Sequence, residues 1–201
     1  MAPGAIVRAI PNLITCCRLA AMPVLVALAW DRRAGAFAWL LLVGLLSDIA
    51  DGLIARALHI ESPFGAALDT AAYFLLVVCA AIGMVQLQPA FVEGHAWQLL
   101  LLAALYVGEV IASFARYGRL SSFHLYTTRI WAYAQGIFFV ALFFWGEWPW
   151  LFYVAWAAGI VSHLEEFTLL ALFPEWRCDV RGLYWVLAQR AGARATPPEQ
   201  G

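Results

Sequence analysis

The stretch Ser47–Tyr73, SDIADGLIARALHIESPFGAALDTAAY, sits between two long apolar runs and sets three aspartates, Asp48, Asp51 and Asp69, around a short polar connection. Asp48 and Asp51 are spaced i, i+3, so on a helix both project from one face. Asp69 follows Gly65 by four residues, and a glycine there lets backbones approach closely. A helix-loop-helix hairpin therefore brings three carboxylates together near one membrane surface.

The flanks of this hairpin fix the class of protein. Of 201 residues, 64% are apolar and 12% charged, against roughly 45–50% and 25% in soluble domains, and the mean hydropathy is +0.79. A membrane-spanning helix needs about 20 mostly apolar residues, and six such stretches occur, approximately 12–30, 34–55, 65–87, 96–115, 130–146 and 149–173. The expected fold is all-α: a polytopic membrane protein built as a six-transmembrane-helix bundle over residues 1–175. A polar C-terminal tail, 176–201, is expected to lie on the membrane surface and fray. A net charge of -1 offers no field for polyanions, which argues against a nucleic-acid partner. Disorder, collagen and a disulfide-stapled module are excluded by the same composition. Cys16, Cys17, Cys79 and Cys178 form no C-x-x-C pair and read as small apolar residues. The first apolar run could pass for a signal peptide, but Arg18 interrupts it, so it reads as a retained helix.

All 12 basic residues are Arg. On a six-helix path ten of them (Arg8, Arg18, Arg56, Arg116, Arg119, Arg129, Arg177, Arg181, Arg190 and Arg194) fall on one side, and Arg32 and Arg33 on the other. The positive-inside bias makes the first side cytoplasmic, with both termini and the hairpin loop. An Asp near the bilayer centre costs about 2.5–3.5 kcal/mol on insertion scales, so three converging acids require positive charge. Arg56 can offset one and a divalent cation the rest. Oxygen-only ligation suits Mg²⁺, Mn²⁺ or Ca²⁺ and disfavours Zn²⁺.

The hairpin resembles the pattern D-x-x-D-G-x-x-A-R-x8-G-x3-D-x3-D of the CDP-alcohol phosphotransferase family of membrane enzymes. Asp48, Asp51, Gly52, Ala55, Arg56, Gly65 and Asp69 match at the right spacing, and Tyr73 stands where the family has its last Asp. PNLITCCR, with Asn12, Thr15 and Arg18, is similar to the family's P-N-x-x-T-x-x-R opening. Arg116 to Arg129 resembles the cytoplasmic segment before the fifth helix of some bacterial members. The resemblance implies transfer of a phosphatidyl or phosphoalcohol group from a CDP-linked donor, such as CDP-diacylglycerol, to an alcohol acceptor with release of CMP, in phospholipid synthesis at a bacterial inner membrane. It also implies a homodimer in the lipid bilayer and Mg²⁺ or Mn²⁺ held by Asp48, Asp51 and Asp69. Gly52, Ala55, Arg56 and Gly65 would form the nucleotide surface, and Arg116, Arg119, Arg129 and His124 would contact the acceptor or lipid headgroups.

The departure at Tyr73 bears on catalysis. The family's last Asp is assigned as the base for the acceptor hydroxyl, whereas a phenol titrates near 10 in water and carries no charge at neutral pH. Tyr73 is therefore an expected catalytic position with weakened metal binding. His59, Glu61 and His124 are the other candidates for a base. Glu109, Glu165, Glu166 and His163 lie in apolar stretches, where pairing with Arg18 or Arg116 is expected. Trp97, Trp148 and Trp150, near helix ends, read as interfacial anchors. A non-catalytic relative that keeps metal or nucleotide binding is the alternative. An ion-coupled transporter is disfavoured, because the acids cluster at one face and no inverted halves with broken helices occur.

Overall fold

The computed structural model describes residues 5–57, 63–118, 125–173 and 182–186, and within them the side chains apart from those of 5–12, 55, 56, 63, 64, 66 and 67. No strand occurs among the described residues. Among the described residues seven helices of six residues or more follow in order: α1 Ala5–Trp30, α2 Ala34–Ala57, α3 Pro63–Leu87, α4 Pro89–Gly94, α5 Ala96–Tyr117, α6 Tyr126–Trp145 and α7 Pro149–Leu172. All-helical structure is what a hydrocarbon solvent demands, since a helix satisfies its backbone N–H and C=O groups within one segment.

Sequence punctuation sets the ends. Proline begins α3, α4 and α7, where its missing N–H costs nothing and its φ is already helical. α5 stops at Gly118, whose φ of 68° lets its N–H return to Phe114 O at 2.9 Å, an end that a side chain would strain.

Among the described residues five helices are long and apolar enough to cross a membrane, over Leu13–Trp30, Ala34–Ile54, Leu68–Leu87, Ala96–Tyr117 and Tyr126–Trp145. α7 has 24 residues, but His163, Glu165 and Glu166 lower its apolarity and it is not among the five. Large apolar side chains face outward on every long helix, including Trp39, Val43, Ile111, Ile137 and Val161. A soluble protein does not leave so much apolar surface in water. The chain is an integral membrane protein.

The chain divides into two compact units, Met1–Gly94 with Phe139–Glu147 and His95–Phe138 with Trp148–Gly201. In the first, α1 packs on α2 and α3 around Leu25, Phe37, Leu41 and Leu76, all buried. Gly83 on α3 makes room for the Phe37 ring, which a Cβ there would meet at 2.2 Å. Phe37 also packs edge-on with Phe143, with centroids 4.8 Å apart.

In the second unit α5 packs on α7. Leu125, Leu169, Leu170, Phe173 and Val186 form its apolar cluster. The Tyr117 hydroxyl and Arg116 Nε both donate to Phe173 O, at 2.8 and 3.0 Å, just beyond the end of α7. Residues 182–186, part of the segment expected as a polar tail, are held against this unit. Leu183 N donates to Glu165 Oε1 at 2.6 Å, and Val186 is buried.

Candidate active site

The three aspartates converge, as the hairpin spacing requires, and their common partner is Arg18 of α1. Its Nη1 donates to Asp48 Oδ1 and, at 3.2 Å, to Asp69 Oδ1. Its Nη2 donates to Asp51 Oδ2 at 2.5 Å, and its Nε to Ser47 Oγ at 3.2 Å. Ser47 in turn donates to Gly44 O at 2.8 Å. Thr15, one turn before Arg18 on the same face of α1, donates to Asp51 Oδ2 at 3.1 Å. The opening PNLITCCR thus supplies two side chains, at i and i+3, that meet the two acids at i and i+3 on α2. A planar guanidinium can do this where an ammonium cannot, because its fork of five N–H donors reaches several carboxylates at once.

Burial is graded across the cluster. The side chain of Arg18 is 1% exposed and that of Asp51 3%, whereas Asp48 is 22% and Asp69 40% exposed. The cluster is closed behind Asp51 and open at Asp69. Three carboxylates against one guanidinium leave two negative charges among the described side chains. Such an excess is costly in a partly desolvated place unless a further cation meets it.

The donor set fits a hard divalent ion in kind, being carboxylate oxygen alone. Asp51 Oδ1 is buried with no hydrogen-bond partner among the described residues, and so offers a free ligand position. As the side chains stand they turn toward Arg18, and among the described residues no three of His, Cys, Asp and Glu are arranged as a ready metal cage.

Tyr73 lies one turn beyond Asp69 on α3, half-buried and within electrostatic range of Asp48. Gly52 and Gly65 are half-buried on α2 and α3. The side chains of Ala55 and Arg56, and all of His59, Glu61, Arg119 and His124, lie outside the described residues. Arg116 and Arg129 belong to the second unit. Arg116 is engaged with Phe173 O, and the guanidinium carbon of Arg129 is 5.9 Å from the Tyr126 ring centroid.

The sequence profile of the CDP-alcohol phosphatidyltransferase family matches residues 8–164. The chain belongs to this family. The matched span of this phosphatidyltransferase-family chain includes Thr15, Arg18, the three aspartates and Tyr73. A CDP-diacylglycerol–glycerol-3-phosphate 3-phosphatidyltransferase of Pseudomonas fluorescens is 34% identical over 113 residues, 53% of this chain and 54% of the relative. The chain thus spans about half the length of the curated relative it matches. No solved structure matches.

Two features of this family site were not assigned from sequence. Among the described side chains the compensating charge comes from Arg18, which had not been assigned to the acids, while the side chain of Arg56, from which it was expected, lies outside them; Thr15 and Ser47 had no assigned contact. A signal was present: Arg18 is the sole charged residue of the span Leu13–Trp30, and a buried intramembrane Arg requires acidic partners. The expected pairing of Glu109, Glu165, Glu166 and His163 with Arg18 or Arg116 is corrected. Arg18 is taken by the aspartates and Arg116 by a backbone carbonyl, while His163 Nδ1 lies 2.8 Å from Glu109 Oε2. Glu165 accepts from Thr127, and Glu166 accepts from Thr128 at 2.9 Å.

Proposed function

We propose that this protein is a metal-dependent phosphotransferase that moves a phosphatidyl group from a CDP-linked lipid to an alcohol. The single observation that supports it most is the convergence of Asp48, Asp51 and Asp69 on one open-sided cluster, at the positions of the family motif. In the reaction the acceptor oxygen forms a bond to the lipid-bearing phosphorus, the bond from that phosphorus to the bridging oxygen breaks, and CMP departs with that oxygen. The hydroxyl proton passes to a base.

Asp48, Asp51 and Asp69 hold Mg²⁺ or Mn²⁺, which when bound offsets the charge that gathers on the phosphate oxygens. Gly52, Ala55 and Gly65 lack the bulk that would keep a nucleotide off the hairpin, and Arg56 meets its phosphates. Arg116, Arg119, Arg129 and His124 serve the acceptor or the headgroup. Tyr73 stands at the base position with a neutral hydroxyl, so turnover is slow. Glycerol 3-phosphate is the first acceptor to test, after the name of the Pseudomonas relative. The site opens to the cytoplasm of a bacterial inner membrane, α7 is the sixth span, residues 1–175 form the catalytic domain with 176–201 as its cytoplasmic extension, and two copies associate.

Purified full chain in detergent is assayed for CMP release across CDP-linked donors and alcohol acceptors. CMP formed from CDP-diacylglycerol only when an acceptor is present supports the proposal. No release from any pair, with Mn²⁺ still bound, supports the second reading, a non-catalytic relative, which the Tyr73 hydroxyl favours. For the topology, a Cys placed at Glu61 in a background without the four native thiols should be labelled from the cytoplasmic side alone.

A further inference from the structure

Arg18 and Ser47, bonded to each other in the aspartate cluster, also line a groove of about 310 Å³ between α1 and α2. Cys17, Ala21 and Leu25 follow at four-residue steps along α1, and Leu40, Gly44 and Ser47 at steps of four and three along α2, so each set shares a helix face. Apart from Arg18, Ser47 and the Cys17 thiol, the lining is aliphatic or glycine. Leu76 of α3 is buried and closes the space beside Gly44, where a Cβ would meet its Cδ1 at 3.0 Å. Leu13 and Val43 border the groove and are exposed. The groove therefore opens outward, and around a membrane-spanning helix outward is hydrocarbon.

The geometry points to this groove as the seat of one acyl chain of the CDP-linked lipid donor. The inference rests on the phosphotransferase reading above and says where that substrate's apolar part lies. A lipid donor carries a long hydrocarbon chain on the molecule whose phosphorus reacts, so it needs an apolar trough that runs up to the reacting groups. Here trough and cluster share Arg18 and Ser47. The volume is near the lower end of the ~300–1,000 Å³ typical of small-molecule sites, so it holds a single chain and leaves the second in the bilayer. Little affinity comes from the transfer itself, because bilayer hydrocarbon is as apolar as leucine. What the groove supplies is position: a seated chain sets the depth of the donor's phosphate along α1 and α2.

Purified full chain in detergent is photolysed with CDP-diacylglycerol carrying a diazirine midway along one acyl chain, each chain in turn, and the adducts are located by mass spectrometry. One of the two probes should mark the groove, at Ala21, Leu25, Leu40 or Val43, and unlabelled CDP-diacylglycerol should abolish that mark. Equal marking by phosphatidylcholine with the same diazirine makes the groove a seat for bulk lipid and overturns the inference. A groove left unmarked by both donor probes overturns it as well, and crosslinking of Cys17 between two chains would then assign the face to a second copy. Ala21→Phe places a ring in the groove and should raise the KM for CDP-diacylglycerol at least about tenfold at unchanged kcat, the cost of a misfit apolar group in a pocket. A folded Ala21→Phe protein with the parent's KM overturns the inference; if the variant does not fold, the labelling of the parent decides. CMP release by a protein whose groove stays unmarked overturns the groove alone. Competed marking without CMP release from any donor and acceptor keeps the groove and overturns the transferase reading instead.

Discussion

The two units each bury acids, and they neutralise them by different means. In the first, Asp48, Asp51 and Asp69 share one guanidinium, Asp51 Oδ1 is buried with no hydrogen-bond partner among the described residues, and the other two acids are partly exposed. In the second, Glu109 meets His163, Glu166 meets Thr128, and Glu165 takes Thr127 and the Leu183 backbone. No arginine is bonded to that second cluster among the described residues. Its partners are imidazole, hydroxyl and amide groups, each at hydrogen-bond distance, and its acids lie between α5, α6 and α7 as ties between helices. An acid cluster whose described residues are over-charged and open on one side is suited to a ligand; one whose acids each have a close neutral or imidazole neighbour is suited to packing, although His163 Nε2 is itself buried without a hydrogen-bond partner among the described residues. Intramembrane acids as a class do not make that distinction, and it is the partners that do.

The largest expected effects lie in the first cluster. Asp51→Asn or Asp69→Asn should each lower CMP release by more than about a hundredfold, a loss of ~2.7 kcal/mol in transition-state stabilisation, and should remove most Mn²⁺ binding. Each substitution deletes a ligand together with a full charge. Glu109→Gln should leave both readings within about twofold, because it keeps the shape and a hydrogen-bonding group beside His163. If Glu109→Gln abolished Mn²⁺ binding while Asp51→Asn did not, the roles of the two clusters would be reversed.

Next in size is Tyr73. Tyr73→Asp should tighten Mn²⁺ binding and raise CMP release several-fold, since a fourth carboxylate adds attraction at the open side of the cluster. A water fills the volume the phenol leaves. Tyr73→Phe should change Mn²⁺ binding by less than twofold, because the neutral phenol gives the ion no charge. Turnover that vanishes in Tyr73→Phe would identify the phenol as the base. Full turnover in Tyr73→Phe would move the base to His59, Glu61 or His124.

These expectations also mark what sequence can carry. The hairpin acids were legible because their spacing is local: an i, i+3 pair fixes a shared helix face, and a short loop fixes which helix comes next. Five spans were legible because length and apolarity are properties of a single segment, and α7, expected as the sixth span, falls outside those five for the same reason, as three polar side chains dilute it. Arg18 was visible as an intramembrane charge, but its partners lie 30, 33 and 51 positions away. Which face of α1 turns to α2 depends on packing around Leu25 and Phe37, and no local pattern reports it. The pairing of Glu109 with His163 was hidden in the same way, across 54 positions. Sequence analysis joined opposite charges, whereas the second unit joined an acid to an imidazole and to hydroxyls.

Within the second unit the effects should be small and confined to stability. His163→Leu leaves Glu109 buried without its imidazole, and an orphaned buried acceptor costs about 1–3 kcal/mol, measurable as reduced resistance to denaturant in detergent. Thr128→Val is the milder case and the sharper one. Thr128 Oγ1 donates to Glu166 at 2.9 Å and lies 3.0 Å from Ser162 Oγ, so valine keeps the branched shape and removes both contacts. Hydrogen bonds between membrane helices average only ~0.6 kcal/mol, with a maximum near 1.7, because the groups left behind find other partners. The loss should fall in that range, with Mn²⁺ affinity and CMP release unchanged. A tenfold fall in Mn²⁺ affinity at unchanged stability would mean that this cluster feeds the aspartate site, and a packing role for it would then be untenable.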